Sequence, residues 1–397
     1  MNTEEIVAAD KEYFMNVFGE RTMVAEKGEG VYLYDNEGNK YLDFSAGIAV
    51  NALGHNHPRV TEAIQDQAEN LLHASNIYYF EIQAKLSQLL VENTCADKVF
   101  YANSGAEANE GALKLARKYF KKQEEDKYEI IATSESFHGR TLATLAATGQ
   151  EKYQKPFTPL PQGFSFVPYN DLEAVKAEIT EQTAAIMVEP IQGEGGVNPA
   201  SQEYLQGLRD LCDEHNILLI LDEVQTGIGR TGTLFAYQQY NIEPDIFTSA
   251  KALGNGVPVS ALLARGDVAE AFEPGDHAST FGGNPLACRA AYATLSTILD
   301  EDIIPHAQNV GSYFKDELNK LEEKYDVIID VKGQGLMLGV EVDTDPQMIR
   351  DKMLEKGVLI LKAGKNVLRF VPPLIIKNEH VDEVIKKLDQ VFATLNR

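Results

Sequence analysis

Two residues stand where short apolar runs end and could do chemistry there: Asp222, closing the run 218–221, and Lys251, just beyond the run 246–249. Open α/β sheets keep their ligands at the carboxyl ends of their strands. A lysine desolvated in that position has a lowered pKa and a nucleophilic amine suited to Schiff-base formation. A solvated surface charge is the plainer reading of one lysine taken alone. Asp222 could hold a metal as in a nucleotide hydrolase, but the chain has no GxxxxGK[ST] loop.

Other stretches carry weaker signals. Residues 103–109 (NSGAEAN) follow a strand-like run and open a helical pattern. Such a junction leaves backbone N–H groups free for a phosphate, although an ordinary N-cap at Ser104 explains it too. Gly227-Ile228-Gly229-Arg230-Thr231-Gly232 matches GxGxxG. The preceding strand does not open a βαβ unit and no acidic strand end follows about 20 residues on, so a dinucleotide site is poorly supported. Phe137 and Arg140 (FHGR) follow a strand and would share its rim. His55 and His57 (GHNHP) have no third ligand in view, which favours a turn over a metal site. Residues 279–285 (STFGGNP) form a polar glycine loop that is hard to explain as core, and Gly333-Gln334-Gly335 reads as a tight turn.

The elements that must position these residues follow from the patterning. Residues 28–44 read as a hairpin around Asp35-Asn36-Glu37-Gly38. Nearly continuous apolar runs at 98–102, 129–133, 184–188, 218–221, 246–249 and 260–264 alternate with helical stretches such as 106–120 and 202–215. Strands apolar on both faces and alternating with helices predict a mostly parallel sheet covered by helices. Beyond about residue 290 two helices flank strand-like pieces at 327–331, 336–342 and 367–370. The last helix, 379–395, puts Val381, Val384, Ile385, Leu388, Val391, Phe392 and Leu395 on one face. These pieces predict an α/β fold in which a large unit, 56–289, is followed by a smaller α+β unit, 290–397, joined by the N-terminal segment 1–55.

Composition removes several classes of function. The 397 residues contain 44% hydrophobic and 24% charged residues, ordinary for a globular protein. No run approaches the roughly 18 apolar residues that a membrane span needs. The net charge of −24 is spread along the chain, so nucleic acid and anionic membranes are poor partners, and an anionic small substrate must meet locally placed arginines. Cys95, Cys212 and Cys288 give neither a disulfide framework nor metal-ligand spacing. With an acidic N-terminus lacking a signal-peptide pattern, they predict a cytoplasmic protein.

YLDFSAGIAVNALGHNHP, NSGAEANE, SFHGRT, EPIQGEGG, LILDEVQTGIGRTG, STFGGNPLAC and NVLRFVPPL occur in this order over nearly the whole chain. Together they resemble the class III (ω-amino acid) aminotransferases of pyridoxal-phosphate-dependent fold type I. The resemblance implies pyridoxal 5′-phosphate as cofactor, Lys251 as its Schiff-base lysine and Asp222 as the partner of its ring nitrogen. It places Ser104, Gly105 and Ala106 at the phosphate, Phe137 and Val224 on the ring faces and Gln225 at the ring hydroxyl. Thr280 resembles the hydroxyl that reaches the cofactor phosphate of a neighbouring subunit, implying a homodimer with shared sites. Arg140, with Ser279 nearby, resembles the arginine that takes an ω-amino donor's distant carboxylate. Arg369 resembles the arginine that takes glutamate's α-carboxylate, and Glu194 the residue that masks it meanwhile. The activity implied is transfer of the δ-amino group of N2-acetyl-L-ornithine to 2-oxoglutarate. Ornithine, succinylornithine, N-succinyl-diaminopimelate and 4-aminobutyrate are alternative donors, and racemase or mutase chemistry is a more distant one. Two departures stand out: Asn255 and Ser260 replace glycines usual after the lysine, and Gly47 stands where ornithine aminotransferases carry a tyrosine.

Overall fold

The computed structural model describes residues 1–19 and 21–395. Strands β1 (Ala25–Glu29), β2 (Tyr32–Asp35) and β3 (Lys40–Asp43) form an antiparallel meander. The expected hairpin is its second half. Asp35 closes the turn, its carboxylate accepting from the amides of Glu37 and Asn39 at 3.0 and 2.8 Å, the Asx chemistry that favours Asp there.

Seven strands build the central sheet: β4 (Lys98–Ala102), β5 (Glu129–Thr133), β6 (Phe164–Val167), β7 (Thr183–Val188), and, after the short pair β8 (Ile191–Gln192) and β9 (Asn198–Pro199), β10 (Leu218–Asp222), β11 (Ile246–Ser249) and β12 (Ser260–Ala264). Their order is β4-β12-β11-β10-β7-β5-β6. The pairs β11–β10, β10–β7, β7–β5 and β5–β6 are parallel, whereas β12 runs antiparallel to both β11 and β4. With β12 alone reversed, β4, β5, β7, β10 and β11 all end at one rim. Strands β7, β10, β11 and β12 are buried throughout, as expected of a sheet covered on both faces. The family fold foreseen in the sequence, an α/β sheet mostly parallel and packed with helices, is the fold found.

Farther along, β13 (Ile328–Gln334), β14 (Met337–Val342), β16 (Leu361–Ala363) and β17 (Val367–Phe370) form a four-stranded sheet, while β15 (Val358–Leu359) crosses to pair in parallel with β3. Phe44, Phe314 and Phe370 meet edge to face at centroid distances of 5.5 and 5.4 Å. They join the end of the N-terminal meander, the helix Ile303–Lys324 and β17 in one core. All three rings are fully buried, each a hydrophobic contribution of about 2–3 kcal/mol.

Between β3 and the helix Pro58–Asn70 the chain makes an unusual left-handed turn: φ is 46°, 63°, 66° and 62° at Ala46, Gly47, Ile48 and Ala49. Each non-glycine residue in that conformation costs about 1–2 kcal/mol. Buried Asp43 holds the turn. Its Oδ1 accepts from the Ser45 amide (2.9 Å), the Ser45 hydroxyl (2.6 Å) and the Ala46 amide (2.9 Å), and its Oδ2 contacts His55 Nε2 at 2.9 Å. Burial pushes the Asp43 carboxyl up, but His55 and these bonds outweigh it and hold the pKa below the usual value. Of the GHNHP histidines, His55 braces Asp43, and His57 occupies the N-cap position of the next helix without a side-chain capping bond. Among the described residues no cluster of three or more His, Cys, Asp or Glu could hold a metal.

Candidate active site

The common rim opens onto a cavity of about 440 Å³ lined by residues from six separate stretches of chain, within the range of small-molecule sites. Asn103, Ser104, Gly105 and Ala106 come from the end of β4, Phe137 to Arg140 from beyond β5, Glu189 from the end of β7, Asp222, Val224 and Gln225 from β10, and Lys251 from beyond β11. Val50 supplies part of another wall.

Ser104 caps the 18-residue helix Gly105–Lys122, its hydroxyl accepting from the Glu107 amide at 3.2 Å. The amides of Gly105 and Ala106 lie in the first turn, where no intrahelical acceptor exists, and the helix dipole favours an anion there. A Cβ added to Gly105 would come within 2.8 Å of Val224 Cγ1. A side chain at that position would fill the cradle between the helix end and Val224.

Asp222 is the best-anchored group in the cavity. It is 4% exposed. Its Oδ2 contacts Asn109 Nδ2 and His138 Nδ1, each at 2.8 Å, and its Oδ1 accepts from the Val224 amide at 3.0 Å. Asn109 is fixed in turn by Thr248, whose hydroxyl donates to Asn109 Oδ1 at 2.7 Å. Burial works to lower the His138 pKa, yet the Asp222 bond and charge outweigh it and raise it above the usual histidine value. The pair thus presents a negative carboxylate oriented by three donors, suited to holding a protonated ring nitrogen.

Lys251 follows β11 in a strained left-handed conformation, φ 41°, the kind of local cost that recurs at functional positions. Burial lowers its pKa; Arg369 adds to the effect, while Glu194, Asp222 and Glu189 oppose it. A lysine so placed carries a larger share of free amine near neutral pH, as nucleophilic work requires.

At one side of the cavity, Arg369 on β17 is 2% exposed. Its Nη1 donates to Glu194 Oε1 at 2.6 Å, to the Gly193 carbonyl at 3.1 Å and to Gln225 Oε1 at 3.2 Å, while its Nε has no partner. Burial tends to raise the Glu194 pKa, but Arg369, with Lys251 and Arg140, holds it below the usual carboxylate range. Arg140 is exposed and lies over the rings of Tyr153 and Phe137, 3.8 and 5.4 Å from their centroids. One arginine is thus capped by a carboxylate and the other is open, both at one lysine.

The rim gathers Lys251, Asp222, Ser104, Gly105, Ala106, Phe137, Val224, Gln225 and Arg140, with Arg369 and Glu194 joined to it through Gln225. It does not gather Ser279 and Thr280, which line a different cavity with Asn76, Gln83 and Tyr101. Ser279 lies with Thr280 in this second cavity and is joined to the rim through Asn103. Its hydroxyl accepts from Asn103 Nδ2 at 3.3 Å and from the Gly282 amide at 2.8 Å. GIGRTG forms successive turns, with left-handed Ile228, Gly229 and Gly232, and opens no helix; the dinucleotide reading ends there.

Three residues of the site went unforeseen as such: Asn109, His138 and Glu189. Glu189 is fully buried and accepts from the amides of Phe137 (3.0 Å) and Gly193 (3.2 Å). Burial, with Asp222 adding, pushes its pKa up to about 7 against the pull of His138. It directly follows β7, so the strand-end logic that singled out Asp222 would have found it.

Comparison with known proteins fits this geometry. The family described as aminotransferase class-III matches residues 15–392. An acetylornithine aminotransferase of Methanocaldococcus jannaschii is 52% identical over 400 residues, covering 100% of both chains. A solved ornithine aminotransferase of Toxoplasma gondii superposes with a TM-score of 0.95 at 36% identity, covering 100% of this chain and 95% of that one, and is described as having partial PLP occupancy at its active site. The acetylornithine aminotransferase of Elizabethkingia anophelis gives 0.89 at 36% identity, covering 99% of each chain.

Proposed function

The chain belongs to the class III aminotransferases, and on that footing we propose that it moves the δ-amino group of N2-acetyl-L-ornithine to 2-oxoglutarate. The products are N-acetyl-L-glutamate 5-semialdehyde and L-glutamate, a step of arginine biosynthesis. The observation that carries the reading is the pair of arginines at one half-buried lysine, Arg369 capped by Glu194 at 2.6 Å and Arg140 open. An ω-amino donor has no carboxylate beside its reacting amine, whereas glutamate does; one arginine must be hidden for the first and bared for the second. Relatives of about 50% identity carrying the acetylornithine aminotransferase name support the acylated donor. Gly47 supports it too, standing beside Val50 where the ornithine aminotransferases carry a tyrosine.

The cofactor is pyridoxal 5′-phosphate, which when bound supplies a carbonyl that an amine can occupy and a ring that draws electrons from the adjoining carbon. Gly105, Ala106 and Ser104 would receive its phosphate, Asp222 its ring nitrogen, Phe137 and Val224 its faces, and Gln225, through Nε2, its hydroxyl. Lys251 Nζ would hold the carbonyl carbon of the bound group, and as a free amine it would be placed to take a proton from a substrate carbon and return one, as base and acid. Arg140 receives the donor's far carboxylate, and Glu194 swings from Arg369 when glutamate's α-carboxylate arrives, so one charge replaces another.

A panel of ω-amino donors against 2-oxoglutarate tests the substrate: glutamate should form fastest with N-acetylornithine. Faster turnover of free ornithine or 4-aminobutyrate overturns the acyl preference. In the same assay Arg140→Ala should lower kcat/KM for N-acetylornithine by about 30- to 100-fold, the scale of a lost charge-assisted bond, and for glutamate by less than about fivefold. Equal losses would end the division of labour between the arginines.

The second subunit belongs to the same proposal. Ile77, Tyr78, Tyr79 and Phe281 are exposed beside Thr280 (60–105% exposed), a concentration of apolar surface that marks an interaction site. A second copy covering it would bring the Thr280 hydroxyl to its neighbour's phosphate. Sedimentation should give about twice the 43.9 kDa chain mass; an active enzyme sedimenting at the chain mass removes Thr280 from the site. Among the described residues no helix is long and apolar enough to cross a membrane. The cytoplasmic assignment rests on the unpaired cysteines, and recovery of the native chain from an oxidising compartment would contradict it.

A further inference from the structure

The loop after Lys251 departs from the family at Asn255, and the structure gives that side chain a use. Asn255 is left-handed, φ 44° and ψ 42°, a conformation asparagine tolerates better than most residues. Its Oδ1 accepts from the Leu53 amide at 2.8 Å, and its Nδ2 donates to the Gly54 carbonyl at 3.2 Å. One side chain thus joins the lysine loop to a segment far earlier in the chain. That segment is the end of the left-handed turn braced by Asp43 and His55, and it carries Val50 into the cavity. The next residues of the lysine loop, Gly256, Val257 and Pro258, line the same cavity. The side chain of Asn51 closes the seam: its Oδ1 would lie 3.4 Å from a Cβ on Gly256.

We propose that Asn255 is a positioning residue that fastens the Ala46–Gly54 turn to the Lys251 loop and so fixes a composite wall of the cavity against which the ω-amino donor is placed. The inference rests on the reading of this cavity as an ω-aminotransferase site. Val50 is held in a strained turn that Asp43 stabilises at its base; at the other end the Leu374 amide donates to the Ala52 carbonyl at 2.7 Å, and Asn255 adds the two bonds that tie Leu53 and Gly54 to the lysine loop. Glutamate and 2-oxoglutarate are gripped by Arg369, deep on β17. The ω-amino donor leaves Arg369 to Glu194 and is placed by Arg140 and by the shape of the walls. Loosening the wall therefore costs the donor more than the dicarboxylates.

The test compares Asn255→Gly and Asn255→Asp with wild type as holoenzymes. Glycine keeps the left-handed backbone without strain and deletes both bonds. Aspartate keeps the acceptor for Leu53 and loses the donor to Gly54. In Asn255→Gly the KM for the best wild-type ω-amino donor should rise about five- to tenfold, the effect of one or two lost hydrogen bonds. Both kcat and the Michaelis constant for the keto-acid acceptor, 2-oxoglutarate, should stay within about twofold of wild type on the same scale. Asn255→Asp should fall between. Amide hydrogen exchange at Leu53 should quicken by about tenfold in the glycine variant. Unchanged Leu53 protection, or equal rises for donor and acceptor, overturns the proposal. A wild-type enzyme that forms no glutamate from any ω-amino donor overturns the functional reading instead, and the exchange result stands apart from it.

Discussion

Lys251→Ala abolishes transamination, with kcat falling by at least about 10⁴-fold. Among the described residues no other primary amine lines the cavity, and His138 has its Nδ1 committed to Asp222 at 2.8 Å. The loss should not be one of folding: among the described residues the Lys251 amine makes no hydrogen bond, and alanine at φ 41° bears the same backbone cost as lysine. The melting temperature should therefore stay within a few degrees while activity disappears. In the wild type, borohydride should fix a yellow chromophore to the chain at Lys251; in the variant it should fix none. Turnover by Lys251→Ala near the wild-type rate would remove the basis of the whole assignment.

Asp222→Asn is expected to lower kcat by about 10²- to 10³-fold, the scale of removing one preorganised charge from a water-excluded site. The change is small in volume and large in hydrogen-bond pattern. Asp222 Oδ2 receives Asn109 and Oδ1 receives the Val224 amide, so both oxygens face donors. An amide must turn its NH₂ toward one of them, leaving a buried donor without an acceptor at a cost of roughly 1–3 kcal/mol. His138 also loses the carboxylate that raises its pKa against burial. The variant should accordingly melt lower and hold pyridoxal phosphate less tightly in equilibrium dialysis, with both half-reactions slowed alike. A selective loss in one half-reaction would point to a substrate role for Asp222 in place of a cofactor role.

Much of this arrangement was legible in the sequence, for a physical reason. Strands buried on both faces are mostly apolar, so β7, β10 and, despite Thr248 and Ser249, β11 stand out in the sequence, and residues at or just beyond their ends land on the rim. Asp222 and Lys251 were visible on that ground. The edge strand β6 was not, because one face meets solvent and Phe166 is 36% exposed, which blurs the run. The reversal of β12 was invisible as well, since an apolar run has no direction. Partners fared worse than positions. Asn109 sits inside a helix and reads as a surface residue, yet it meets Asp222 from 113 positions away. His138 meets it from 84. Contacts of that span depend on the sheet order, which local patterning does not carry.

The five strand ends that line one cavity have a consequence for how the protein comes into being on the ribosome. The site draws on residues from Val50 to Arg369, the last joined to the cavity through Gln225. No nascent chain can present a finished site until it has been made as far as Arg369. The emerging polypeptide holds Val50 and the helix Gly105–Lys122 long before Arg369 exists to be capped by Glu194. A premature stop ahead of β17 but beyond β11 leaves a product that keeps its lysine and its Asp222 and has no seat for glutamate. Translation thus withholds the two-substrate exchange until Arg369 has been made.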